Sequence, residues 1–362
     1  MSESITYYQI LNHQSRIIDE SDDYQVDNQT LLDFYQQMLL TRSFDQKAIS
    51  LQRTGRLGTY ASSLGQEAIG TALGNAMQGQ DVLIPTYREY GAQLARGVKM
   101  NSLLLYWGGD ERGMAFEGGA VECMQDMPIC VPIGTQTCHA VGIAYAMKLR
   151  QEKRVAVCVL GDGATSKGDF YEAVNAAGVW QLPIVFVIAN NQWAISLPRD
   201  MQSSAPSLAQ KAWAGGIPGE QVDGNDVLAC YERFHKAIQQ ARDRQGPRVI
   251  EALTFRLSDH TTADDASRYR EDSLVEKQWQ YDPIKRLKNY LLTEQVISVQ
   301  QLEVLQSQCN DEVNHAVNEY LSTPAMAATS MFDHLYAELP TTMQIQRDEI
   351  ERRINAKPGG SR

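Results

Sequence analysis

GDGATSKGDFYEAVNAAGVWQLPIVFVIANNQWAIS, from Gly161 to Ser196, reads as a strand end, a turn, a helix and a second strand. The apolar run RVAVCVL (Arg154–Leu160) leads into Gly161-Asp162-Gly163. A helix is expected over Asp169–Gln181, and a second apolar run, PIVFVIA (Pro183–Ala189), ends at Asn190-Asn191. Strands that are apolar throughout and separated by helices indicate a parallel sheet covered on both faces. If the two strands are neighbours joined by a right-handed crossover, Asp162 and Asn191 leave the sheet together at its carboxyl edge. Open α/β sheets bind their ligands at that edge.

The same alternation extends outward. DVLIP (Asp81–Pro85) and PRVIEALTFR (Pro247–Arg256) read as further strands, with helices after Tyr87 and over Thr135–Gln151. A long helix starts at Asn28, with Asn28 or Thr30 as its cap and Gly55 as its stop. The class is α/β, a doubly wound parallel sheet with N- and C-terminal helical extensions. The expected organisation is a flexible segment over 1–27, an α/β domain over 28–273, a charged helical extension over 274–355 and a tail over 356–362. Periodicity does not say whether that extension packs on the sheet or on a partner.

The chain has 362 residues, 43% of them hydrophobic and 21% charged, which is globular composition. The longest apolar stretch, near Leu182–Ala189, is too short to cross a bilayer. With 33 basic against 44 acidic residues the net charge is -11, and no Lys/Arg cluster offsets it, which argues against nucleic acid. The six cysteines, Cys123, Cys130, Cys138, Cys158, Cys230 and Cys309, form no CxxC pair. They read as reduced core residues, and the amino terminus carries neither a signal core nor a transit-peptide composition, so a cytoplasmic location is expected.

A carboxylate from Asp162, an amide oxygen from Asn191 and a backbone carbonyl from the turn at Trp193 make a hard oxygen set suited to magnesium. The glycines allow a diphosphate close approach, and the following helix offers N–H groups to it. A dinucleotide fingerprint is wrongly spaced here, and a carboxylate in the turn would repel a metal-free pyrophosphate. A P-loop fails because Lys167 is followed by Gly168. The bland alternative is that GDG and NN are ordinary turns; their placement at paired strand ends weighs against it.

GDG followed after 26 residues by NN is the thiamine diphosphate and magnesium motif. With GTYASSLGQEA (Gly58–Ala68), PTYREYG (Pro85–Gly91), VPIGTQ (Val131–Gln136) and HTTADDASRYR (His260–Arg270), the chain resembles the alpha subunits of the thiamine diphosphate-dependent first component of 2-oxo acid dehydrogenase complexes. The resemblance covers roughly Leu31 to Pro340, and its wording is most similar to bacterial pyruvate dehydrogenase members. It implies that Asp162, Asn191 and the Trp193 carbonyl hold magnesium. It implies further that Gly163, Ala164, Tyr87, Arg88 and His260 bind the diphosphate, and that Val131 and Ile133 meet the aminopyrimidine end. Branched-chain relatives place an Arg just before NN, where this chain has Ala189.

Each residue has a plainer reading: a solvated Arg88, a solvated loop or second metal site around His260, Asp259, Asp264 and Asp265, and mere packing for the Trp193 ring. Glu172 and Asn175 read as solvated or as supporting groups. The resemblance implies oxidative decarboxylation of a 2-oxo acid, pyruvate foremost, and acyl transfer to the lipoyl group of an acyltransferase component. The pyrimidine-activating Glu then belongs to a beta subunit in an alpha2 beta2 assembly. The alternatives are a branched-chain or acetoin dehydrogenase subunit, or a structural subunit without catalysis. The polar segment Leu257–Arg270 is expected to be mobile without ligand and to order when diphosphate and magnesium arrive, Arg268 and Arg270 then pairing with Asp264 and Asp265. Thr261 and Thr262 stand where some relatives carry a regulatory phosphoserine.

Overall fold

The computed structural model describes residues 5–18, 26–116, 119–120 and 123–356. Its strands are β1 (Tyr7–Tyr8), β2 (Val82–Ile84), β3 (Ala156–Gly161), β4 (Ile184–Asn190), β5 (Trp193–Ala194), β6 (Leu197–Pro198), β7 (Gly219–Asp223) and β8 (Arg248–Leu253). The helices are α1 (Asn28–Arg53), α2 (Glu67–Ala76), α3 (Tyr90–Ala95), α4 (Met100–Trp107), α5 (Thr135–Leu149) and α6 (Gly168–Val179). Beyond these come α7 (Arg199–Gln202), α8 (Val227–Arg242), α9 (Asp272–Gln278), α10 (Pro283–Thr293), α11 (Val299–Ser322) and α12 (Thr341–Asn355).

Six strands form one sheet in the order β1-β7-β8-β4-β3-β2, every pair parallel. The apolar runs of β3 and β4 feed two cores because side chains alternate faces. Val157, Val159, Val185 and Val187 pack with α1, α2 and α8. Cys158, Leu160, Phe186 and Ile188 pack with α5 and α6. Each fully buried branched or aromatic side chain contributes roughly 1.5–3 kcal/mol, so the paired central strands are the best-anchored part of the sheet.

Three expectations change. Residues 5–18 are not a loose arm: Tyr7 and Tyr8 pair with Gln221 and Val222, and Asp226 accepts from the N–H groups of Ile10 and Leu11 at 2.7 Å each. Neither β1 nor β7 has an apolar run to announce it. The rest of the expected amino-terminal segment and the 357–362 part of the tail lie outside the described residues. Helix α1 is capped by Asp27, whose Oδ1 accepts from Thr30 N at 2.9 Å, rather than by Asn28 or Thr30. The boundary at 273 also moves: one compact unit runs through Asn318, and residues from Glu319 onward form a second. Ile284, Leu287, Leu291, Leu302 and Cys309 join the same core as α1, and Asp282 pairs with Arg42 at 2.6 Å. The second unit contains α12, which buries none of its side chains.

Candidate active site

Strands β3 and β4 are direct neighbours, with Gly161 opposite Ala189. Asp162 and Asn191 therefore emerge side by side at the carboxyl edge. Both line a cavity of about 200 Å³. Gly163, Ala164 and Trp193 share its wall, as do Tyr87, Arg88, Ile133 and His260 from three other segments. Val131 is not among the lining residues and lies exposed. Glu172 and Asn175 are exposed on α6, away from the wall.

Asp162 is 2% exposed, and its Oδ2 has no hydrogen-bond partner. Burial, the largest influence, pushes its carboxyl up to about 6. A buried, unpartnered carboxylate oxygen is costly unless a cation meets it. Asn191 is 6% exposed, and its Oδ1 accepts from Trp193 N at 3.2 Å, which folds the turn over the same cavity. Two side-chain oxygens and a carbonyl thus fit a hard divalent cation. A Cβ on Gly161 would meet nothing within 4 Å, so the chain there borders open space. One on Gly163 would stand 2.9 Å from the Ala194 Cβ, so that glycine is required by packing.

The turn after Asn191 is strained. Gln192 and Ile195 have φ of 71° and 58°, the left-handed region that β-branched residues avoid. Arg256, which has no exposed surface, holds it: Nη2 donates to the Ile195 carbonyl at 2.8 Å and to Tyr269 Oη at 2.9 Å. Its Nη1 stands 3.5 Å from the Trp193 carbonyl, and burial brings the guanidinium down to about 10. Sequence reading passed over Arg256, although a lone Arg closing an apolar strand run was the available signal.

Arg88 is 7% exposed, not solvated. The preceding turn is fixed by Glu89, whose Oε2 accepts from Thr86 N at 2.7 Å and Arg88 N at 3.2 Å. The guanidinium donates to the carbonyl of Ser62, to the His260 carbonyl at 2.7 Å and to His260 Nδ1 at 3.0 Å. Nδ1 is then an acceptor, leaving Nε2 with the imidazole proton. Burial, then Arg88 and Arg256, bring His260 down to about 4, so it is a neutral donor at physiological pH. Ser62 belongs to the segment around Asp45, a buried carboxylate that accepts from Tyr60 Oη at 2.9 Å and Ser63 N at 2.8 Å.

The 257–270 segment is tied into this frame. Thr262 and Tyr60 exchange two hydrogen bonds, 2.8 Å and 2.9 Å. Arg268 pairs with Asp265 at 3.3 Å as expected, but Arg270 donates to the carbonyls of Arg256 and Ser258, and Asp264 accepts from Tyr269 Oη and His260 N. Residues around His260 form no metal-capable cluster. Among the described residues, that geometry occurs at Cys138, Asp169 and Glu172. All six cysteines are free; Cys138 is exposed and Cys130 lies in the cavity wall, so those two are not core residues.

A paired strand-end site with an open oxygen set, a buried guanidinium and a neutral imidazole donor suits an anionic ligand held with a hard cation. Residues 35–329 match the family described as dehydrogenase E1 component, and the chain belongs to that family. It is an oxidoreductase component of the 2-oxo acid dehydrogenase type, in a family that depends on thiamine diphosphate. The 3-methyl-2-oxobutanoate dehydrogenase subunit alpha of Mycobacterium tuberculosis is 41% identical over 327 residues, 89% of this chain and 87% of that protein. The pyruvate dehydrogenase E1 component subunit alpha of Acholeplasma laidlawii is 38% identical over 336 residues, 92% and 96% of the two chains. Its counterpart in Mycoplasma pneumoniae is 35% identical over 347 residues, 96% of each. No helix among the described residues is long and apolar enough to cross a membrane.

Proposed function

We propose that this chain is the diphosphate-binding alpha subunit of a pyruvate dehydrogenase, completed by a beta subunit in an alpha2 beta2 assembly and working in the cytoplasm. The observation that carries the reading is the unpartnered Asp162 oxygen facing a cavity that Arg88 and His260 also line. Asp162, Asn191 and the Trp193 carbonyl would hold magnesium. Arg88, His260 Nε2 and Tyr87 would hold the diphosphate with the Gly163 and Ala164 backbone, and Ile133 would support the organic part of the cofactor. Bound thiamine diphosphate supplies a nucleophilic carbon and an electron sink for loss of carbon dioxide from a 2-oxo acid.

Of the two carboxylates on the cavity wall among the described residues, Asp162 takes the cation and Glu89 is spent on the Thr86 turn. Among the described residues no carboxylate is then left there to activate the pyrimidine, which supports a Glu from the beta subunit. The acyl product would pass to the lipoyl group of an acyltransferase component. A branched-chain substrate is the second reading, favoured by the Mycobacterium tuberculosis relative. Co-expression with the beta subunit and a dye-acceptor assay over pyruvate, branched-chain 2-oxo acids and acetoin tests both. Pyruvate as the best substrate by kcat/KM is expected; a branched-chain acid in that place would move the assignment to the second reading.

A further inference from the structure

The turn that carries Asp162 is held from behind as well as in front. Asp162 is followed by a single 3-10 turn, Gly163–Ser166. Thr165 Oγ1 donates to the Asp162 carbonyl at 2.7 Å, fixing that turn on the strand end. Lys211, on the 3-10 segment Leu208–Gly215, reaches in from the other side. Its Nζ stands 2.9 Å from both the Thr165 carbonyl and Thr165 Oγ1, and 5.6 Å from the centre of the Tyr171 ring. Lys211 is 8% exposed, and no carboxylate among the described residues lies at salt-bridge distance from it. Burial, and then Arg199, lower its pKa from the usual lysine value.

A buried ammonium hydrogen-bonded only to neutral groups costs the folded chain free energy, which Glu251 and Asp162 offset in part. Its placement gives that expense a use. We propose that Lys211 is an electrostatic positioning residue for the cofactor: it locks the Asp162 turn through Thr165 and supplies positive potential behind the diphosphate position. The inference rests on the diphosphate reading of the cavity. Lys211 touches neither the cavity nor any group proposed to contact the cofactor directly, apart from the turn itself. The effect on an anion is through space and through Thr165.

The two roles of a buried charge separate by experiment. Wild type, Lys211→Met and Lys211→Arg, each as the full chain purified with its partner subunit, are titrated with thiamine diphosphate at saturating magnesium by calorimetry. Their melting temperatures are recorded without cofactor. Lys211→Met is expected to bind about tenfold more weakly, the scale of one charge acting at partly buried range, while Lys211→Arg stays within about threefold. Without cofactor, Lys211→Met should melt within a few degrees of the wild-type temperature, because the two hydrogen bonds lost at Thr165 offset the removal of a buried charge. Unchanged binding in Lys211→Met, or a melting temperature lowered in step with the loss of affinity, would overturn the proposal. Failure of the wild type to bind the cofactor would overturn the cavity reading instead.

Discussion

At the scale of single residues, the site depends on groups whose surroundings give them one task. Asp162→Ala or Asn191→Ala should weaken magnesium-dependent thiamine diphosphate binding by about 100-fold or more with the fold intact, since a hard cation loses one of few oxygen ligands. Calorimetry with and without magnesium reads this, and unchanged affinity in either variant would refute the metal assignment. His260 carries a pH consequence. Its folded value near 4 lies below the 6.5 of an unfolded chain, so between those values the unfolded state binds a proton that the native state refuses. Its contribution to stability is present above pH 6.5 and is lost as pH falls towards 4. An imidazole NMR titration, assigned with His260→Gln, should show no midpoint for this ring above pH 5; a midpoint near 6.5 would contradict the burial argument.

At the scale of elements, buried carboxylates join parts far apart in the chain. Asp226 caps α8 through Leu228 N at 3.0 Å and Ala229 N at 3.3 Å while also accepting from Ile10 and Leu11. Asp226→Ala strands four N–H groups and should cost about 2–4 kcal/mol in urea unfolding, with the amino-terminal strand released first. A loss below 0.5 kcal/mol, roughly the range of surface substitutions, would show that β1 is held by other contacts. The 257–270 loop offers a second test. Arg268 is 82% exposed at its side chain, whereas Arg270 is buried on backbone carbonyls. Trypsin should cut after Arg268 and not after Arg270, and magnesium with thiamine diphosphate should slow that cut by ordering His260 against the diphosphate. Equal rates with and without cofactor would mean that the loop does not respond to it.

At the scale of the whole molecule, the proposed function makes the cavity half of an active site. The purified chain alone should not decarboxylate pyruvate, and activity should appear on adding the beta subunit, because Asp162 and Glu89 are both committed. Turnover by the isolated chain, free of partner, would disprove this division of labour. The apolar exposure of Ile133 and Ile195 at the cavity suits a surface that a partner covers.

The sequence by itself determined the parts whose signal is local. Continuous apolar runs made β3 and β4 recognisable, and turn chemistry at their ends marked Asp162 and Asn191 before any packing was known. The motif wording marked Arg88 and His260. Only the tertiary structure decided the rest. Gln221 and Val222 pair with Tyr7 and Tyr8 across more than two hundred residues, and neither polar strand carries a periodic pattern. Leu287 and Leu291 join the core of α1 because an amphipathic helix shows that it has an apolar face but not what covers it. Sequence reading passed over Arg256 and Lys211. Their burial beside the turns that follow Asn191 and Asp162 comes from long-range packing, which alone determines whether a charge meets water, a carboxylate or neither.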